Sequence, residues 1–142
     1  IICDKTTNPA AWDKAFACLK EGNQPWCQHA PVLVISCTDS LFAHNDQPNT
    51  FGPFDTGAAA VSMCLQASDL GLMTHQMAGF SPDKARELFA IPERYRALTM
   101  MTVGYQLEES RLPEVFKVRE LAPRKRSPLG SRFFAGEWET GL

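Results

Sequence analysis

No G-x-G-x-x-G fingerprint, no G-x-x-x-x-G-K-S/T phosphate loop and no H-E-x-x-H pair occurs among the 142 residues of this chain. Those absences remove the usual sequence support for a Rossmann dinucleotide site, a phosphate-loop nucleotide site and a zinc protease. Histidine is scarce: His29, His44 and His75 stand far from one another and show no metal-ligand spacing to the cysteines. No metal is expected, and no catalytic nucleophile. The five cysteines (Cys3, Cys18, Cys27, Cys37 and Cys64) make an odd count without a C-x-x-C pair. That argues against a disulfide framework and suits a reducing, cytoplasmic setting. No apolar run approaches the ~20 residues of a membrane helix, and no basic stretch leads into an apolar one as in a signal peptide. A formal net charge of -2 argues against a general nucleic-acid binder. Neither a membrane nor a nucleic acid is therefore expected as partner.

What is present is enough chain for one domain with a core. Asn8-Pro9 signals a helix start. Trp12, Phe16 and Leu19 follow at helical spacing, and Gly22 is the expected end. Pro31–Cys37 is a continuous apolar, β-branched run and predicts a buried strand. Cys18, Cys37 and Cys64 lie inside apolar patterns and read as small core residues. Ile1-Ile2-Cys3 looks like the end of a strand cut in mid-element, so further N-terminal sequence is expected.

Between Thr38 and Pro53 runs a loop rich in Asp, Asn, Pro and Gly that also holds Phe42, Phe51 and Phe54. It reads either as a surface excursion or as a lid lining a pocket. Asp55 or Thr56 is expected to cap a helix reaching about Leu70. Its apolar residues (among them Ala58, Ala59, Ala60, Val61, Met63, Leu65 and Ala67) run nearly all the way round, so it must be buried on most sides. The middle of a monomer and the core of a dimer both satisfy that. Gly71 to Phe80 then reads as an irregular exit from the helix. Ser81-Pro82-Asp83 opens a short helix through Phe89, and Thr99–Tyr105 is a second strand. Beyond Gln106 the chain lacks apolar periodicity and carries Pro113, Pro123 and Pro128. It reads as an extended arm that must lie on something.

Two segments have the make-up of a ligand site. In Thr74-His75-Gln76-Met77-Ala78-Gly79 the last two residues lack bulk, so a flat ring can approach the backbone closely. Alone, this reads as a connection of no special role. In Arg124-Lys125-Arg126 alternate residues of an extended chain point the same way, so two guanidinium forks converge on one anion. Alone, this reads as a solvated basic arm, in a stretch that holds seven basic residues (Arg111, Lys117, Arg119, Arg124, Lys125, Arg126 and Arg132). It lacks the interleaved aromatics of a single-strand nucleic-acid binder.

Taken in order, these segments resemble the FMN-dependent nitroreductase family. The matching series is Asn23, Trp26 and Ala30-Pro31 before the first strand, then Asp55 and Gly57 in the core helix. It continues with His75 to Phe80, Gly104-Tyr105, Arg124 to Leu129, and Gly136-Glu137-Trp138. It covers nearly all of the chain and corresponds to the C-terminal two-thirds or so of such proteins. The family's N-terminal flavin motifs, R-R-S/A-x-R and P-S-x-x-N-x-Q-P-W, are not in this chain. Asn23-Gln24-Pro25-Trp26 departs from the second in spacing and reads instead as a packed tryptophan between helix and strand. The chain from Ile1 is accordingly expected to bind FMN poorly on its own.

The resemblance implies an α+β fold, a three-layer sandwich with a mixed or antiparallel sheet flanked by helices, in an intertwined homodimer. It implies one domain over 1–142, with 107–142 as an arm embracing the partner subunit. Carried over by position, Thr74, His75, Gln76, Met77, Ala78 and Gly79 flank the isoalloxazine, with the backbone of Met77, Ala78 and Gly79 facing the N5 edge. Arg124 and Arg126 hold the FMN phosphate. The implied activity passes electrons from NAD(P)H, the co-substrate, through FMN to a small-molecule acceptor such as a nitroaromatic or quinone. The alternative is a non-catalytic, dimeric relative with an incomplete flavin site that serves as a ligand-binding or interaction module.

Overall fold

In the computed structural model, which describes residues 1–141, Ile2–Asp4 form strand β1. Helix α1 (Pro9–Ala17) starts where its first residues predict: Asn8 Oδ1 accepts the Ala11 N–H at 3.1 Å. It stops short of Gly22 because Leu19 is drawn into a β-bridge with Phe80. A single turn, α2 (Gln24–Cys27), leads to strand β2 (Val32–Asp39). Helix α3 spans Gly52–Asp69. It begins ahead of the expected Asp55, because Asn49 Oδ1 takes the N–H groups of both Phe51 and Gly52. At its other end Gly71, at φ 74°, lets the Leu72 N–H reach Ala67 O and its own N–H reach Ser68 O. That is a Schellman ending, and it requires the left-handed conformation glycine adopts without strain.

Strand β3 (Met73–Met77), helix α4 (Pro82–Phe89) and strand β4 (Tyr95–Gly104) complete the first of two units, Ile1–Gln106. Ser81 caps α4 by accepting the Lys84 N–H. The four strands form one antiparallel sheet in the order β1-β2-β4-β3. The fold is α+β, and its sheet is antiparallel throughout.

Alternation along the strands sorts the two faces. Leu33 and Ile35 of β2, Met77 of β3 and Met100 of β4 join Trp12, Ala15, Ala85 and Ile91 in the main core, against α1 and α4. Trp12 anchors that side, with its indole N–H on Ala30 O and its ring stacked on Phe16. Val34 and Met101 point to the opposite face. There Cys64 of α3 lies 3.6 Å from Met101 Sδ. Opposite Ser36 and Cys37 a bulge places the extra residue Leu98 in β4 and shifts the phase of that strand, so that Ala97 joins Met100 on the main-core side, facing Cys37. Cys3, Cys18 and Cys27 are buried, whereas Cys37 and Cys64 are only half-buried.

Within a single chain, helix α3 is buried along one side only. Only Gly52, Ala60 and Ala67 are buried, while Phe54, Val61 and Leu65 stand 77%, 53% and 68% exposed. The small stripe faces the sheet, and the larger stripe Phe54-Ala58-Val61-Leu65 faces outward.

The second unit begins at Leu107. It contains helix α5 (Glu114–Glu120), two 3-10 turns (Glu109–Arg111 and Leu129–Ser131) and a bridge between Phe134 and Gly141. None of its described residues is buried. Helix α5 was not expected; it is about two turns long, with Lys117 Nζ on Glu114 at 2.7 Å. Among the described residues no helix is long and apolar enough to cross a membrane. No cluster there of three or more His, Cys, Asp or Glu has the arrangement of a metal site.

Candidate functional site

Met73–Met77 is a strand, not the irregular segment expected from its sequence. The run has no alternation of its own; pairing with β4 supplies the regularity, with Thr74 opposite Val103, His75 opposite Thr102, Gln76 opposite Met101 and Met77 opposite Met100. Because β3 is an edge strand, one row of its backbone groups has no strand beside it.

The six residues expected around a ring divide by face. Thr74 is half-buried. His75 is exposed, its imidazole edge-on to Trp26 with ring centres 4.6 Å apart. Gln76 points to the α3 side, where its Nε2 donates to Cys64 Sγ at 3.3 Å. Met77 is buried, 3.7 Å from the Cys27 thiol, and only its backbone is available to a ligand. Ala78 is exposed and Gly79 half-buried.

Gly79 is tightly held. Its carbonyl accepts two hydrogen bonds at 2.9 Å, from the Lys20 N–H and from Asn23 Nδ2. On either side the Phe80 N–H donates to Ala78 O and the Ser81 N–H to Cys18 O. A Cβ built on Gly79 would collide with the Asn23 amide. The missing side chain makes room for Asn23 on that side of the backbone. Outside the sheet ladder, the N–H groups of Ala78 and Gly79 donate to no backbone carbonyl among the described residues.

The loop after β2 is closed on itself. Leu41 bridges Pro48, and Phe42 exchanges backbone hydrogen bonds with Asp46 and Gln47. Arg94 clamps it, with Nε on Asp39 at 2.7 Å and Nη1 on Asp46 at 2.9 Å. Hydrogen bonding from Arg94 holds the Asp39 carboxyl below its usual range and raises Arg94 in turn. Phe51 and Phe54, at the end of the loop and the start of α3, are exposed. Elsewhere burial pushes the Cys27 thiol up to about 12 and raises Cys3, Cys18 and Cys37. Those four are protonated at neutral pH and are poor nucleophiles.

Arg124 and Arg126 belong to the second unit, both exposed and in a stretch without regular structure. Arg126 Nη1 donates to Lys125 O. Neither guanidinium takes part in the ion pairs formed among the described residues.

Sequence reasoning missed the hold of Lys20 and Asn23 on Gly79. A signal existed. Asn23 stands at the N-cap position of α2, yet its side chain makes no cap hydrogen bond. An asparagine there normally accepts an N–H of the first turn.

The sequence model of the Nitroreductase family matches residues 4–105. A crystal structure described as an oxidoreductase containing FMN superposes with a TM-score of 0.87 at 30% identity, covering 100% of this chain and 71% of that one. A nitroreductase family protein from Streptococcus pneumoniae TIGR4 shares the fold at a TM-score of 0.66 and 18% identity, over 95% of this chain and 76% of that one. A Mycolicibacterium smegmatis protein described as an uncharacterized 15.4 kDa protein in the ask 5' region is 27% identical, over 96% of this chain and 92% of its own length.

Proposed function

The chain belongs to the Nitroreductase family, and from that premise we propose that it is a flavin-dependent oxidoreductase, passing electrons from NAD(P)H through FMN to a nitroaromatic, a quinone or a similar acceptor. The observation that carries the reading is the Ala78–Gly79 backbone. It is clamped from one side and has N–H groups that no loop or turn carbonyl among the described residues takes. A rigid pair of donors at a strand end suits the edge of a flat, electron-accepting ring. The name of the FMN-containing structure similar to this chain supports the choice of cofactor.

The residues fit FMN in chemistry as well as in order. Arg124 and Arg126 are exposed and without an acidic partner among the described residues; they would hold the phosphate, which guanidinium forks match in geometry. Thr74 through Gly79 would flank the ring, with Met77 contributing backbone alone. Bound FMN supplies the acceptance of a hydride and the delivery of electrons to the acceptor. The protein binds, orients and excludes water: the donors of Ala78 and Gly79 stabilise negative charge at the ring edge, and His75 on Trp26 gives a fixed wall. The exposed ring of Phe51 suits flat aromatic acceptors.

The same reading includes a homodimer. Phe54, Val61 and Leu65 form a stripe along α3 that is exposed. Burying each such side chain contributes about 1.5–3 kcal/mol. A second copy presenting the same helix covers it symmetrically, and 107–142 would then serve as an arm on the partner.

The test is a titration of the purified full-length protein with FMN, followed by anaerobic addition of NADPH or NADH and then a quinone. One FMN per subunit, bleaching on the first addition and recovery of colour on the second are expected. A protein that binds no flavin, or whose bound flavin neither nucleotide bleaches, overturns the reading.

A further inference from the structure

Asn23 does something unusual for its position. It sits where α2 begins and leaves the cap unmade, although asparagine is among the best residues for that task and the cap contributes about 1 kcal/mol. Its amide donates instead to Gly79 O, 56 residues further along the chain, at 2.9 Å. The Lys20 N–H joins it on the same carbonyl, and the Asn23 N–H is anchored in turn on Lys20 O. The Asn23 amide also occupies the place of a Cβ on Gly79. Gly79 is not among the glycines with positive φ, so its backbone conformation does not demand glycine. The demand comes from Asn23.

We infer that Asn23 is a positioning residue for the flavin site: it locks the Gly79–Phe80 peptide, whose Phe80 N–H donates to Ala78 O, and thereby fixes the Ala78–Gly79 peptide and the direction of its Gly79 N–H toward the ring edge. This inference rests on the flavin reading above. A glycine free to turn would present its N–H over a wide range of directions. With its carbonyl doubly held and one side of its Cα occupied, Gly79 has lost that freedom before any ligand arrives. Donors fixed in advance favour the charge that develops on reduction more than they favour the neutral oxidised ring. Asn23 is therefore expected to act on the difference between the two flavin states, without touching the cofactor.

The test uses full-length Asn23→Asp and Asn23→Ala. Aspartate keeps the size and the capping capacity but sets a carboxylate oxygen against Gly79 O; alanine removes the donor without adding repulsion. Two quantities are read. In the apo-protein, hydrogen exchange of the Lys20 amide reports whether the Gly79 carbonyl is still held, and it is expected to quicken in both variants. In the FMN-bound protein, the ratio of affinities for reduced and oxidised FMN is obtained from the bound midpoint potential. That ratio is expected to fall roughly tenfold, the scale of one hydrogen bond to a charged group, and Asn23→Gln is expected to recover part of it. Faster Lys20 exchange with an unchanged ratio overturns the positioning role and leaves the flavin reading standing. Failure of the wild-type protein to bind FMN overturns both, and is told apart at the first titration.

Discussion

Arg94 Nε meets Asp39 Oδ1 at 2.7 Å, tying the end of β2 to the turn before β4. The same guanidinium reaches Asp46 and the carbonyl of Leu41, so one side chain braces the loop at three points.

The Asp39 carboxyl is held below its ordinary value of 3.8 chiefly by that hydrogen bond. Asp4 is also lowered, by the backbone N–H groups of Thr7 and Thr6. For a carboxyl depressed on folding, the stability it lends is fully present above the ordinary value and lost as pH falls through the folded value. Urea midpoints are therefore expected to stay level from neutrality down to about pH 5 and to drop below about pH 4. Asn at position 39 should make the drop shallower. An equally steep drop in Asp39→Asn would remove Asp39 as a source.

Gly71 stands at φ 74° with nothing near a built Cβ. Gly71→Ala meets no clash and incurs only the left-handed backbone penalty, roughly 1–2 kcal/mol. The expected result is a lower melting temperature with an unchanged far-ultraviolet spectrum.

Arg124→Ala and Arg126→Ala are expected to weaken FMN binding about tenfold or more each, since a guanidinium–phosphate hydrogen bond is worth roughly 1.5–3 kcal/mol. Both side chains are exposed, so thermal stability of the apo-protein should not move. A fluorescence titration against riboflavin, which lacks the phosphate, separates the effects: riboflavin affinity is expected to be the same in wild type and variants.

Val61→Glu with Leu65→Glu places two charges on the outward stripe of α3. The wild-type protein is expected to sediment as a dimer and the double variant as a monomer with its helix content retained, because neither side chain is buried within the chain. A wild-type monomer would remove the homodimer.

How much of this could be read in the sequence follows from the range of each signal. The starts of α1 and α4 depend on Asn8-Pro9 and Ser81-Pro82, which act on their own first turns, and they were legible. So was β2, whose apolar run marks a strand buried in the sheet. Met73–Met77 was not, since nothing local makes it a strand; its regularity comes from β4, some twenty residues away along the chain. Helix α3 was legible in composition but not in burial. An all-round apolar pattern cannot say which side meets its own sheet and which remains open. At the site, Gly79 drew notice as a small residue, but the reason for its smallness lay in Asn23, 56 residues earlier.

The strand order β1-β2-β4-β3 also bears on how the chain folds as it is made. Both β2 and β3 pair with β4, which is the last of these four strands to be synthesised. Until Gly104 has left the ribosome, β3 has no neighbour and β2 has only the three residues of β1. The sheet therefore closes late and in a single event, through contacts distant in sequence, which is a slow route. Until then the apolar runs of β2 and α3 stay exposed together, and that interval is when the nascent chain most needs a chaperone.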